Sequence, residues 1–509
     1  MRFSALCRKC EGKNVYQIGF DNEKYLELQS ANIKKRIEMF GNKLYLEFGG
    51  KLFDDFHASR VLPGFEHDSK VRLLTTLADQ AEIIIAINAA TIDSNKVIGD
   101  SGIAYDEDVL RLIDEFRRCG LYVGSVAITQ YLGQPEADKF KARLEQLGMT
   151  VYKLNYIAEY PANIALTLSD DGFGRNDYIE TTRPLVVVTA PGPGSGKMTT
   201  CLSQLYQENK RGVKAGYAKF ETFPIWDLPL QHPVNLVYES ATADLNDVNM
   251  IDPFHLAAYG VSAVNYNRDV EMFPVLNSIF KTIWGSSPYN SPTDMGVNMV
   301  GSCITDDAVC AEASRQEIIR RFFKAQCDFA AGLADRKPVN KIEMLMNLSE
   351  ITDIDRAVVP VAREKAQLTG EPGAAIELAN GAIMTGKTSA LLGASSAALM
   401  NALKYLAGID DKMPVISPVV IEPIQKLKVG FLGNDNPRLH TDELLLALSI
   451  SAATNPVADL VMKQLPQLDK AEFHSTVILS QIDINVLRQL GINVTCDPVY
   501  QTKRLFHKR

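Results

Sequence analysis

The stretch that most constrains the fold is Pro184–Gln207, PLVVVTAPGPGSGKMTTCLSQLYQ. Leu185–Val188 are consecutive apolar residues, which is typical of a strand buried on both faces. Prolines, glycines and a serine follow as far as Gly196, and the apolar residues after Lys197 recur with the period of a helix. The stretch therefore predicts a strand, a glycine loop and the start of a helix.

Such an element is a candidate anion site. Free backbone N–H groups converge at the start of a helix, the helix dipole favours negative charge, and Lys197 adds a full positive charge. The alternative is a plain strand-to-helix turn whose glycines only permit a tight bend. The predicted phosphate-binding residues are Gly192, Gly194, Ser195, Gly196, Lys197, Thr199 and Thr200.

The stretch departs twice from the phosphate-loop pattern G-x-x-x-x-G-K-[ST]. Pro191 occupies the first glycine position, and Met198 occupies the position of the hydroxyl that holds Mg²⁺ in ordinary loops of this kind. The nearest hydroxyls, on Thr199 and Thr200, come one and two places late. Phosphate binding is therefore predicted more strongly than metal coordination.

A complete match to the pattern occurs later, at Gly381–Thr388. Asn380-Gly381 is, however, a strong hairpin signal, which would make Gly381 a turn residue. Gly386, Lys387 and Thr388 then remain as secondary anion contacts at the start of an Ala/Leu-rich helix. Gly49, Gly50 and Lys51, after a strand at Leu44–Phe48, are further candidate phosphate contacts, although a turn with an exposed lysine is the favoured interpretation.

Lys197 and Glu239 are the candidate catalytic residues. Val213–Lys219 and Val234–Tyr238 are predicted strands, and Glu239 follows the second of them. An acidic residue at a strand end is where phosphate-loop enzymes hold a metal ion or an attacking water. Acidic residues are also common in ordinary turns.

Alternating strands and helices predict an α/β fold with a mostly parallel N-terminal sheet. The phosphate-loop-like element belongs to this sheet, a helical middle region follows, and a smaller C-terminal α/β unit contains predicted strands at Lys428–Leu432 and Thr476–Leu479. The predicted divisions are an extension at 1–17, an α/β domain at 18–305, a helical region at 306–410 and a subdomain at 411–509.

Composition narrows the functional classes. The chain has 509 residues, a net charge of −8 and no long basic run, so sequence-independent nucleic-acid binding is not expected. Its longest apolar stretches are interrupted by polar residues, which favours core helices over membrane spans. The eight cysteines are scattered, and no second pair completes a zinc site with Cys7 and Cys10. We therefore expect a cytoplasmic protein without a metal site of its own.

Two stretches carry a family likeness: LEFGGKLFDDFHASRVLPGF, from Leu46 to Phe65, and GPGSGKMTTCLSQLY, from Gly192. They make the chain resemble an uncharacterised bacterial family described as a domain of unknown function. The likeness covers nearly the whole chain from Ile18. Some members are labelled ATP-dependent peptidase, but neither H-E-x-x-H nor G-x-S-x-G occurs in this sequence.

The sequence favours a protein that binds a small phosphorylated molecule, as a nucleotide-dependent phosphotransferase, ligase or hydrolase. ATP with Mg²⁺ is the candidate cofactor. One alternative is a non-catalytic metabolite sensor or assembly protein that forms homo-oligomers, which the poor Mg²⁺ position at Met198 favours. Another is a phosphosugar or phosphate-ester enzyme that uses the same anion site without ATP.

Overall fold

The computed structural model describes residues 17–50, 52–53, 55–97, 103–245 and 247–501. These residues form two compact units. The first unit takes residues 18–239 and 247–314, and the second takes residues 17, 240–245 and 315–501. Lys51, a predicted anion contact, and the pair Cys7 and Cys10 lie outside the described residues.

A parallel sheet of seven strands forms the centre of the first unit, in the order β4-β3-β2-β5-β1-β6-β9, and all its neighbouring strands pair in parallel. Every residue of β1, β5 and β6 is buried, as expected for inner strands covered on both faces. A separate antiparallel ribbon pairs β7 with β8. The strands are β1 (Leu44–Phe48), β2 (Ala81–Asn88), β3 (Tyr122–Tyr131), β4 (Thr150–Asn155), β5 (Leu185–Thr189), β6 (Gly216–Phe220), β7 (Asn249–Ile251), β8 (Val264–Tyr266) and β9 (Gly296–Val297).

Helices connect and cover these strands. Helix α8 (Lys197–Lys210) packs against β1, β5 and β6, and helix α5 (Tyr105–Arg118) packs against β2 and β3. The helices are α1 (Asn22–Met39), α2 (Phe56–Val61), α3 (Ser69–Thr76), α4 (Ala89–Asp93), α5 (Tyr105–Arg118), α6 (Pro135–Gln146), α7 (Ile164–Thr167), α8 (Lys197–Lys210), α9 (Pro233–Ala241), α10 (Pro253–Tyr259), α11 (Asn267–Trp284), α12 (Pro292–Met295) and α13 (Asp307–Ala330), which continues into the second unit.

This strand order determines where a ligand can bind. In parallel sheets, ligands lie beyond the carboxyl ends of the strands. Because β5, β1 and β6 are neighbours, the loop after β5, Gly49 after β1 and Glu221 after β6 share one edge of the sheet.

The predicted strand Val234–Tyr238 is wrong. These residues belong to α9, which begins at Pro233, a residue suited to the first turn of a helix.

The second unit contains a mixed sheet in the order β11-β10-β12-β13. β10 pairs antiparallel with β11 and β12, while β12 and β13 are parallel. Buried Ala, Leu, Ile and Val side chains of the surrounding helices and of the sheet form its core. Its elements are α14 (Lys337–Leu348), α15 (Val358–Thr369), β10 (Gly373–Glu377), β11 (Ile383–Lys387), α16 (Ala394–Leu406), α17 (Pro418–Lys426), α18 (Thr441–Ala452), α19 (Pro456–Met462), β12 (Glu472–Ser475), α20 (Gln481–Gln489) and β13 (Asn493–Cys496).

The α/β class is thus confirmed, with a larger parallel sheet and a smaller C-terminal one. Two predicted strands are wrong in detail. Lys428–Leu432 lies mostly in a π-helical turn, Leu427–Phe431, that continues α17. Thr476–Leu479 follows β12 rather than forming a strand. The smaller sheet takes strands from both sides of residue 410, whereas the sequence predicted a helical region there and a separate subdomain after it.

Candidate functional site

The glycine loop between β5 and α8 leaves the backbone N–H groups at the start of α8 without a side-chain cap. Gly194 and Gly196 have φ angles of +76° and +84°, in the left-handed region that favours glycine. Gly196 is the N-cap of α8 and offers no side chain to the first turn. The first intrahelical bond runs from Thr200 N to Gly196 O over 2.9 Å. The backbone N–H groups of Lys197, Met198 and Thr199 therefore remain open donors.

Two side chains, one from β2 and one from β3, fix the orientation of peptide groups in the loop. Asn88 Nδ2 donates to Gly194 O over 3.2 Å, and Thr129 Oγ1 donates to Ser195 O over 2.8 Å. In a planar trans peptide the N–H points opposite to the C=O. The N–H groups of Ser195 and Gly196 therefore point away from Asn88 and Thr129, on the side opposite the bonded carbonyls.

Close packing explains two of the glycines. A Cβ at Gly192 would lie 2.5 Å from Tyr105 Oη, and one at Gly196 would lie 2.6 Å from Thr129 Oγ1. A Cβ at Gly194 would meet no described atom within 4 Å. The loop is therefore tight on its protein side and open at Gly194.

The predicted hydroxyls have different surroundings. Ser195 Oγ donates to Gly192 O over 2.9 Å, inside the loop. Thr200 Oγ1 donates to Gly196 O over 2.9 Å and is buried in the helix. The Thr199 hydroxyl lies beside that of Tyr160, a residue within electrostatic reach of Glu47. Of the two threonines, Thr199 is the one not committed to the helix backbone.

Lys197 extends its partly buried side chain towards the carboxyl end of β1. Burial lowers the pKa of Lys197, while the nearby Glu47 carboxylate acts in the opposite direction. Within the described part of the chain, no hydrogen bond or ion pair engages the Lys197 ammonium group. A positive charge thus lies close to the open amides without a partner of its own among these residues.

A buried cluster of charges lies beside this lysine and was not predicted from the sequence. Glu47 and Lys219 are register partners on β1 and β6, and Glu47 Oε2 accepts a 2.7 Å hydrogen bond from the Tyr217 hydroxyl. Lys219 Nζ pairs with Asp269 at the start of α11 and, over 3.0 Å, with Glu221 Oε1. The Tyr266 hydroxyl donates to Glu221 Oε1 over 3.3 Å.

The two carboxyl groups beside Lys219, those of Asp269 and Glu221, interact with it differently. Although burial alone acts to lower it, the pKa of Lys219 is raised, chiefly by Asp269. Burial raises the pKa of Glu221 to about 7, with the Lys219 ammonium opposing and Asp269 adding to the rise. Asp269 is therefore the main counter-ion of Lys219, and Glu221 is a carboxyl group that can gain or lose a proton near neutrality.

The remaining predicted residues of the first unit have structural partners. Glu239 lies on α9, not at a strand end, and its Oε1 accepts a hydrogen bond from Asn249 N over 3.1 Å. Gly49 N donates to Phe220 O over 3.2 Å. Gly50 has a φ angle of +73°, and a Cβ there would lie 3.2 Å from Lys70 Nζ.

The complete pattern match in the second unit forms a hairpin. Gly381 has a φ angle of +76° in the turn between β10 and β11, so the predicted hairpin is confirmed. Lys387 is the exposed last residue of β11, and Thr388 N donates to Pro372 O over 2.9 Å. The next helix, α16, begins only at Ala394, so the expected helix start after Lys387 is wrong.

Sequence reasoning missed Glu47, Lys219, Glu221 and Asp269. A signal was present for two of them: Glu47 and Lys219 are the penultimate residues of the otherwise uncharged strands LYLEF and GYAKF. A charge inside a strand that is buried on both faces must have a compensating group nearby. Such a residue is therefore a better candidate than an acid at an apparent strand end.

Comparisons with known proteins agree with the predicted resemblance. The family described as "Domain of unknown function DUF1846, N-terminal" matches residues 18–350, and its C-terminal counterpart matches residues 354–506. The chain is 57% identical over 492 residues to a UPF0371 protein of Streptococcus sanguinis, covering 97% of this chain and 100% of the relative. UPF0371 proteins of Streptococcus pneumoniae and Streptococcus thermophilus are also 57% identical over 489 residues, covering 96% of this chain and 99% of each relative.

Two structural features are absent from the described residues. None of their helices is both long and apolar enough to cross a membrane. In the same residues, no group of three or more His, Cys, Asp or Glu side chains is arranged to hold a metal ion.

Proposed function

The chain belongs to the DUF1846 family, and we propose that its first unit binds the phosphate groups of a nucleotide at the glycine loop and transfers a phosphoryl group. The observation that carries this proposal is the open start of α8 beside an unpaired ammonium group. The N–H groups of Lys197, Met198 and Thr199 have no side-chain cap, and Lys197 lies beside them. A phosphate would supply the acceptors that this arrangement lacks.

In this proposal the loop amides bind phosphate oxygens and Lys197 neutralises the charge that develops during phosphoryl transfer. A bound dianion would also stabilise the ammonium form of Lys197, because it replaces the water that burial removes. The loop carbonyls held by Asn88 and Thr129 keep the amides oriented before the ligand arrives.

Glu47 replaces Glu239 as the proposed acidic residue. It lies on β1, next to the strand that leads into the glycine loop, and within electrostatic reach of both Lys197 and Tyr160. When bound with the nucleotide, Mg²⁺ would neutralise phosphate charge. The oxygen groups suited to hold it are the Thr199 hydroxyl and the Glu47 carboxylate. We also propose that the protein acts in the cytoplasm, where nucleoside triphosphates are available.

Isothermal titration with ATP and ADP tests binding directly. We expect a Kd below about 1 mM for the wild type, and a rise in Kd of about 10- to 100-fold in Lys197→Ala, the effect of losing one charge-assisted contact. Lys210→Ala at the other end of α8 is the matched control, because Lys210 is exposed and pairs with Asp170. The proposal would be refuted if neither nucleotide produced a heat of binding with the wild type, or if Kd rose equally in both variants.

Met198 favours a second candidate, a sensor or assembly protein that binds the same ligand without turnover. It takes the place of the hydroxyl that usually holds Mg²⁺, so binding without catalysis is chemically consistent. Phosphate release from ATP with and without Mg²⁺ distinguishes the two. Metal-dependent release supports the enzyme. Tight binding with no release, together with a ligand-dependent change in oligomeric state, supports the sensor.

A further inference from the structure

A cavity of about 210 Å³ lies beside Glu221 in the first unit. Its walls come from α1, α10, α12, β8, the start of β9 and the segments after β6 and β9. The cavity therefore lies beyond the carboxyl end of β6, at the same edge of the sheet as the glycine loop. The residues that line it include Asn32, Arg36, Glu221, Trp226 and His255. Neighbouring strands lie about 4.8 Å apart, so β5 and β6, which flank β1, are separated by about 10 Å.

The walls of this cavity combine polar side chains with apolar surface. Asn32 Oδ1 has no hydrogen-bond partner within the described chain, whereas its Nδ2 contacts Met299 Sδ at 3.3 Å. The ring of His255 is held at Nδ1 by Ser291 Oγ, over 3.0 Å, which leaves Nε2 for a ligand. Arg36 Nη2 donates to Asp294 O and Gly296 O, and its guanidinium lies 5.5 Å from the centre of the Tyr289 ring.

These groups suit a molecule with several hydroxyls. A hydroxyl both donates and accepts, and the cavity offers an amide oxygen, a guanidinium, an imidazole and a carboxyl group within a small volume. Trp226, fixed by its indole N–H to Asn298 O over 3.2 Å, adds an apolar ring face for C–H groups. The volume is too small for a nucleotide but accommodates a molecule of monosaccharide size.

Glu221 connects the cavity to the charge cluster. Its Oε1 contacts Lys219 and Tyr266, while its Oε2 would lie 3.1 Å from a Cβ at Gly296. Glycine at that wall position therefore leaves room beside the carboxyl group. The groups that face Glu221 are Lys219, Asp269, Tyr238 and Tyr266.

We propose that this cavity binds the phosphoryl acceptor, a neutral polyhydroxylated molecule of monosaccharide size, and that Glu221 removes the proton from its attacking hydroxyl. This inference rests on the proposed function. The hydroxyl oxygen forms a bond to the terminal phosphorus of a nucleoside triphosphate, and the bond from that phosphorus to the bridging oxygen breaks. The nucleoside diphosphate leaves, and the proton passes to the Glu221 carboxylate.

Saturation-transfer NMR tests the cavity without requiring activity. The probes are glucose, mannose, galactose, mannitol and myo-inositol, each added to the full-length protein. We expect at least one to bind, and Asn32→Ala to weaken that binding roughly five- to tenfold, the effect of one hydrogen bond. Asn347→Ala is the control, because Asn347 is exposed on α14 of the second unit. The absence of signal from all five probes, or equal weakening in both variants, overturns the proposal.

Glu221→Gln separates binding from chemistry. We expect the bound probe to stay within about twofold of its wild-type affinity, because an amide replaces the carboxyl group. We also expect transfer of phosphate from ATP to that probe to fall by about 10²- to 10⁴-fold, as for loss of a general base. Undiminished transfer overturns the role of Glu221. If nucleotide binds at the loop but no polyol binds, only this inference fails, whereas polyol binding without nucleotide binding contradicts the proposed function.

Discussion

Single residues in the first unit owe their chemistry to burial. Lys219 and Asp269 are both under 8% exposed, and their pairing leaves Glu221 beside an ammonium group that is already neutralised. A buried carboxyl group in that position favours its neutral form. The pKa of Lys197 shifts in the opposite direction, since burial disfavours its ammonium form. Burial thus favours the neutral form of both groups.

The raised pKa of Glu221 predicts a pH-dependent stability. Its carboxyl group titrates near 4.5 when unfolded and near 7 when folded, so the folded state binds the proton more tightly. This contribution to stability is fully present below about pH 4.5 and is lost as the pH rises through about 7. Relative to Glu221→Gln, we expect the wild type to lose about 1–3 kcal/mol of unfolding free energy over that window. Urea unfolding at several pH values measures it.

Glu27→Gln, at an exposed position of α1, is the control for that series and should follow the wild type. If the curves of wild type and Glu221→Gln run parallel from pH 4.5 to 8, Glu221 does not hold a proton near neutrality.

The two left-handed glycines of the loop should respond differently to alanine. Gly194→Ala places a methyl group in open space and costs about 1 kcal/mol, because only the positive φ angle opposes it. Gly196→Ala adds a clash with the Thr129 side chain, so we expect about 2–4 kcal/mol. Chemical denaturation of both variants measures the difference. Equal losses would mean that the loop is not tightly packed against β3.

At the scale of elements, sequence context predicted the structure better than the motif did. The strand, loop and helix around Gly196 follow from an apolar run, small residues and a helical period, and all three are present. The complete pattern at Gly381–Thr388 forms a hairpin, as Asn380-Gly381 predicted, because a left-handed turn there closes β10 onto β11. A phosphate-binding motif therefore predicts a strand–loop–helix element only where the sequence before it favours a strand and the sequence after it favours a helix.

The hairpin leads to a prediction that separates the two lysines. Lys387→Ala should leave the Kd for ATP and ADP within about twofold of wild type, because Lys387 is the exposed last residue of a strand and does not begin a helix. Titration beside Lys197→Ala measures this. A larger loss in Lys387→Ala would show that the strict motif, and not the loop at Gly196, binds the phosphate.

Other features could not be predicted because the local sequence does not determine them. Val234–Tyr238 reads as a short apolar run, yet it forms a helix that starts at Pro233. The cap of α18 is His440, whose backbone N–H donates to Glu443 over 2.8 Å, and histidine is not among the residues that usually signal a helix start. The charge cluster depends on register between β1 and β6, which are more than 160 residues apart, and no local pattern contains that information.

At the scale of the whole molecule, the features proposed to bind ligands lie in the first unit. The glycine loop, the charge cluster and the cavity beside Glu221 all lie within residues 18–239 and 247–314. Their order along the sheet edge follows β5, β1 and β6. A nucleotide phosphate at β5 and an acceptor beyond β6 would meet at the Glu47 and Lys219 side chains between them.

A crystal structure of the protein with ADP tests the central claim most directly. We expect phosphate oxygens within about 2.7–3.2 Å of the N–H groups of Lys197, Met198 and Thr199, with the Lys197 ammonium turned towards them. The claim is contradicted if ADP binds elsewhere, or if those amides keep only water while Lys197 stays directed at Glu47.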